Sequence, residues 1–114
     1  MTTKQLDVSH YTYRVAWSLE DSEFVATCIE FPSLSWLSAT QQEALAGLLD
    51  LVADVVRDMT QQGEVVPEPL SERHYSGKFN LRVGEQLHRR LAVEAAEEHL
   101  SLNQYVVRRL TNAS

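Results

Sequence analysis

The chain has 114 residues, 44% of them hydrophobic and 23% charged, with a net charge of −6. Those values fit one ordinary globular domain or two very small ones, and they exclude a bulky many-layered enzyme. The single cysteine, Cys28, rules out an internal disulfide, and no Cys/His group has zinc spacing, so a metal-stapled fold and a bound cofactor are not expected.

The charge is divided unevenly. Residues 1–75 carry four Lys/Arg against twelve Asp/Glu, a net of −8, whereas residues 76–114 carry six against four, a net of +2. Such a split predicts two modules with different partners. The basic half suits nucleic acid, and the acidic half suits a basic protein. The N-terminus has no apolar core of a secretory leader, and the run from Ala44 to Val56 is too short and too charged to cross a bilayer. A cytosolic chain is the expectation.

Taken in order, Tyr11, Tyr13, Val15, Trp17 and Leu19 alternate with smaller or polar residues. This is the period of a half-buried strand over Tyr11–Leu19. Glu20-Asp21-Ser22 reads as a turn, and Glu23–Ile29 as the returning strand. Phe31-Pro32-Ser33 predicts an interruption, followed by a short third strand over Ser35–Ser38. Thr40 and Glu43 have capping-box spacing. The helix they open has apolar residues at 45, 48, 49, 52, 55, 56 and 59, with Gly63 as its C′ stop. One apolar sheet face and one apolar helical stripe need each other, which predicts an α+β unit over residues 1–66. Two prolines, Pro67 and Pro69, mark a linker over 67–75.

Beyond it, Lys78–Val83 alternates as a strand. A helix is predicted from Glu85 to about His99, with Leu87, Leu91 and Ala95 one turn apart. Ser101 and Gln104 form a second capping box. Leu102, Tyr105, Val106 and Leu110 give the last helix its apolar stripe. Residues 76–114 are too few to bury a sufficient core alone, so an obligate homodimer, or else a frayed unit, is expected.

Catalytic signatures are weak. His10, His74, His88 and His99 have no metal-binding spacing, and no nucleophile elbow or phosphate loop is present. Glu20, Asp21 and Glu23 crowd one turn, which reads more simply as solvated than as a cation site. A non-enzymatic protein is expected. An active nuclease, which needs carboxylates converging on two metal ions, is the poorest of three readings.

The strand at 78–83 carries more. Lys78, Asn80 and Arg82 share one face; Phe79, Leu81 and Val83 share the other. Paired antiparallel across a dimer, the polar face becomes a ribbon of six side chains that fits a major groove about 12 Å wide. Arg and Lys pair with guanine edges and Asn with adenine. The amides around Ser101, Leu102 and Asn103, at the start of the last helix, offer a phosphate site. The dimer core would comprise Phe79, Leu81, Val83, Leu87, Leu91, Tyr105, Val106 and Leu110.

The series Gly77–Val83, Glu85-x-Leu87-His88-x-x-Leu91 and Ser101–Tyr105 resembles the ribbon-helix-helix repressors of the Arc and MetJ kind. Gly84 departs from the proline or hydroxyl residue often found there. The whole chain resembles the HicB antitoxin family. The residues carrying that likeness are the Tyr11–Leu19 strand, Glu30–Leu34 and Thr40-x-x-Glu43-Ala44-Leu45, with Ser38-Ala39 where Gly-Asp is common. The resemblance implies an N-terminal domain of partial ribonuclease-H-like fold that is not itself a nuclease. It also implies that this domain masks a small basic toxin, the HicA mRNA interferase, while the C-terminal domain represses its own operator DNA. A stand-alone transcriptional regulator whose N-terminal domain binds another partner is the alternative.

Overall fold

The computed structural model describes residues 6–113. The described residues are α+β, with a three-stranded antiparallel sheet and three α-helices, and the chain divides into two compact units between Tyr75 and Ser76.

In the first unit, β1 (Tyr13–Ser18), β2 (Glu23–Cys28) and β3 (Phe31–Ser38) form a meander of order β1-β2-β3. The first strand is shorter than its alternation predicts. Tyr11 lies just after a 3-10 turn at Val8–His10, yet it is buried and packs edge-on against Phe31. Leu19 falls in the β1–β2 turn and is exposed, as is much of Trp17, which packs edge-on against Phe24. The turn closes through Ser18 Oγ donating to Asp21 at 2.9 Å.

Contrary to the predicted interruption, β3 begins at Phe31 and runs through Pro32. The strand is an edge, where a residue without an amide proton costs no ladder bond on its open side. A register shift at Thr27/Cys28 absorbs the irregularity.

Helix α1 (Gln41–Gln61) covers one sheet face. Its N-terminus is capped by the Thr40 hydroxyl, which accepts from the Glu43 amide at 3.1 Å. Gly63 stops it at φ 72°, with the Glu64 amide donating to Met59 and the Gly63 amide to Thr60. That pair of bonds is a Schellman motif, and its left-handed residue favours glycine. Ala44, Leu48 and Val52 point inward onto Ala26, Cys28 and Phe31. Each fully buried leucine or valine contributes about 1.5–3 kcal/mol by burial.

The segment predicted as a linker does not behave as one. Residues 66–73 lie on the first unit. Val66 packs against the core, Pro69 is fully buried, and the Pro69 carbonyl accepts from the amides of Glu72 and Arg73 in a closed turn. The first unit therefore extends to Tyr75 and takes in residues 67–75, and the second begins at Ser76.

In the second unit, α2 (Glu85–Glu97) and α3 (Leu102–Thr111) form a helical hairpin. Helix α2 stops two residues before the predicted His99, because that residue adopts φ 60°. The Leu100 amide then donates to Ala95 and the His99 amide to Ala96, a second Schellman closure.

Candidate functional site

The second unit buries little; Ala95 and Tyr105 are its only buried residues among those described. The Tyr105 hydroxyl donates to Glu94 Oε2 at 2.6 Å and ties α3 to α2. That hydrogen bond, ahead of burial, raises the Tyr105 pKa. Arg108 donates to Glu98 at 3.5 Å, a loose second tie.

The predicted strand Lys78–Val83 is not a strand in the single chain. Its alternation is intact, but a strand exists only by pairing, and these residues find no second strand within their own unit. Gly77 and Gly84 flank the segment with φ 85° and 83°. Lys78, Asn80 and Arg82 are all exposed, and so are two residues of the opposite face: Phe79 at 79% and Leu81 at 61%.

Phe79, Leu81 and Val83 line an open groove of about 530 Å³, together with Leu91 of α2 and Leu102, Val106 and Leu110 of α3. Of the predicted dimer core, Tyr105 is already buried within the unit, and Val83, Leu87, Leu91 and Val106 are half-buried. Leu110 is exposed like Phe79 and Leu81. Leu87 lines a separate concavity beside Gly84 and Arg90 rather than the groove.

At the start of α3 the capping box is complete. Ser101 Oγ accepts from the Gln104 amide at 3.0 Å, and Gln104 Oε1 accepts from the Ser101 amide at 3.1 Å. This leaves the amides of Leu102 and Asn103 at the helix opening, where no intrahelical acceptor exists. Leu102 and Asn103 also border the groove, so two of the three predicted phosphate-site residues lie beside the apolar face.

In the first unit, four of the twelve acidic residues lie on α1. Glu43, Asp50, Asp54 and Asp58 are exposed along α1 at spacings of seven, four and four residues, which places them on one helical face. Arg57 pairs with Asp54 at 3.0 Å. On the sheet face away from Ala26 and Cys28, the strand registers align Ala16, Val25 and Leu37. Among the described residues, no group of three or more His, Cys, Asp or Glu is placed to hold a metal ion. None of their helices is long and apolar enough to cross a membrane.

Sequence reasoning missed Glu30 as a structural anchor. Its carboxylate accepts from the Thr12 amide at 2.9 Å, the Thr12 hydroxyl at 3.1 Å and the Leu70 amide at 2.9 Å. Burial alone would raise its pKa, but the amides of Leu70, Thr12 and Glu30 itself outweigh burial and lower it. No local pattern announces a bond between residues forty positions apart.

Residues 62–110 match the family model of the HicB family, a span shorter than half the chain. The match supports a relationship to that family and takes in the segment on the sheet unit and almost all of the second unit. No curated protein matches the chain, and no solved structure does.

Proposed function

We propose that this chain is an antitoxin that represses its own operon. In this reading two copies pair their Lys78–Val83 segments as an antiparallel ribbon, each filling the other's groove, in a ribbon-helix-helix dimer. The observation that carries it is the second unit's alternating segment, with Phe79 and Leu81 uncovered beside an apolar groove. Pairing would turn those side chains inward and raise Lys78, Asn80 and Arg82 outward on one surface. The match to the HicB family over residues 62–110 supports the same reading.

The paired ribbon would read operator bases in the major groove. The Leu102 and Asn103 amides, with Ser101 fixing the helix start, would hold a backbone phosphate. The first unit would take the partial ribonuclease-H-like role and mask a small basic toxin of the HicA kind. Its acidic helix face supplies the charge complement. No residue is assigned a catalytic role and no cofactor is invoked.

A second reading is favoured by one observation: the family match begins at residue 62 and omits the sheet and α1. The chain would then be a stand-alone regulator whose sheet unit binds something else. Co-expression with the adjacent gene and purification through a tag on this chain separates the two. Co-purification of a small basic protein whose ribonuclease activity is thereby suppressed supports the antitoxin. Operator binding without such a partner supports the regulator. A chain that binds neither overturns both.

A further inference from the structure

Residues 66–73 are held on the first unit without strand pairing. Pro67 and Pro69 lack the amide protons a ladder needs. The attachments are instead separate bonds, gathered around Tyr11, Thr12 and Glu30. Tyr11 donates its hydroxyl to the Pro67 carbonyl at 2.6 Å. Glu30 accepts from the Leu70 amide at 2.9 Å. Ser71 donates to the His10 carbonyl at 2.8 Å, and His10 pairs with Glu72. Only Pro69 is fully buried; Glu68, Ser71 and Arg73 are exposed.

An element fixed by a few side-chain bonds and the packing of Val66 and Pro69, on a core that stands on its own sheet ladder and helix, belongs to the low-stability end of a structure. We propose that residues 66–73 form a strap that opens as a unit while the sheet and α1 stay folded, with the Glu30 carboxylate as its latch. Glu30 suits that role because it bonds both sides of the joint, Thr12 on the sheet unit and Leu70 on the strap. Its bond to the Leu70 amide of the strap is charge-assisted, and bonds of this kind are about twice as strong as neutral ones. Opening frees the eight residues 66–73 as extra chain before Ser76, adding at most roughly 29 Å of chain length. Release of the strap therefore loosens whatever coupling the sheet unit exerts on DNA binding. That consequence alone rests on the antitoxin and repressor reading.

The test is amide hydrogen exchange by NMR on the full chain. It compares wild type with Glu30→Ala, Glu30→Gln and Ser71→Ala, using the Leu48 and Val52 amides of α1 as the fold control. The wild-type amides of Leu70, Glu72 and Arg73 should exchange faster than those of α1. Glu30→Ala should accelerate them by about tenfold or more, the scale of one charge-assisted hydrogen bond. Ser71→Ala, which touches no core residue, should accelerate them less and in the same direction. Glu30→Gln keeps an acceptor and should fall between wild type and Glu30→Ala. Uniform acceleration of strap and α1 amides in Ser71→Ala and Glu30→Gln would show that the strap is integral to the fold, and would overturn the proposal. An unchanged Leu70 rate in a folded Glu30→Ala would do the same. A strap that opens as described in a chain that binds no DNA leaves the latch standing and removes the repressor reading.

Discussion

Leu81→Ala distinguishes a self-sufficient second unit from one completed by a second copy. In the single chain Leu81 is 61% exposed, so its truncation there should behave like a surface change, within about 0.5 kcal/mol. If the ribbon forms, the same side chain is enclosed in the dimer core, and losing it costs about 2–5 kcal/mol at each copy. Two copies give about 4–10 kcal/mol per dimer. At 1.4 kcal/mol per decade this is roughly a thousandfold to ten-million-fold loss in association. A small domain has only about 5–15 kcal/mol of stability, so the variant's second unit should be monomeric and largely unfolded at micromolar concentration. The assay is sedimentation together with helical circular dichroism over a range of concentrations. The wild-type melting point should rise with concentration and the variant's helical signal should fall. Both tryptophans, Trp17 and Trp36, lie in the first unit, so their fluorescence reports whether that unit is intact. A melting point independent of concentration, with Leu81→Ala within 0.5 kcal/mol of wild type, would refute the dimer.

The remaining expectations concern DNA, acid and packing. Asn80→Ala and Arg82→Ala should each cost about 1–3 kcal/mol on operator and little on random DNA; titrations on both DNAs at several salt concentrations check this, and an unchanged specificity ratio in folded variants would remove the ribbon as reader. Glu30 has a lowered pKa in the folded state, so its stabilisation is fully present above the ordinary carboxylate value of 4.5 and is lost as pH falls through the folded value. Tyr11 and Tyr13, raised to about 12 chiefly by burial, stay protonated across that window; acid titration followed by tryptophan fluorescence should show a shallower acid limb in Glu30→Gln. Gly47→Ala places a methyl 2.1 Å from Trp36 Nε1, so the indole must leave its seat on α1; a loss of about 1–3 kcal/mol with red-shifted fluorescence is expected, and unaltered emission would contradict the close packing.

What the sequence made legible was local. The Thr40 and Ser101 caps and the Gly63 stop each depend on residues within one helical turn, and each lies where the spacing predicts. The Tyr11–Leu19 alternation found the first strand but overran it at both ends. Tyr11 reaches the core from outside the ladder, and Leu19 belongs to the turn. Pro32 looked like a break because a proline's cost depends on whether its strand is central or an edge. That property belongs to the sheet rather than to the local sequence.

The two larger differences have a common cause. Pro67 and Pro69 carry the composition of a linker, and nothing nearby says that Tyr11 and Glu30 will hold their segment down from 56 and 40 residues away. Lys78–Val83 carries the composition of a strand, and nothing within its unit pairs with it. Composition describes what a segment offers, whereas structure depends on whether a complement is within reach. For the strap the complement lies in the same chain, so an apparent linker becomes ordered. For the alternating segment no complement lies in the unit, while Phe79, Leu81 and the adjoining groove remain uncovered and the polar face stays intact. Alternation has physical use only where the two faces meet different surroundings. In the proposed dimer a second copy would supply that difference with no further component: its own ribbon would pair the backbone, its groove would receive the apolar face, and two-fold symmetry would leave both polar faces on one side.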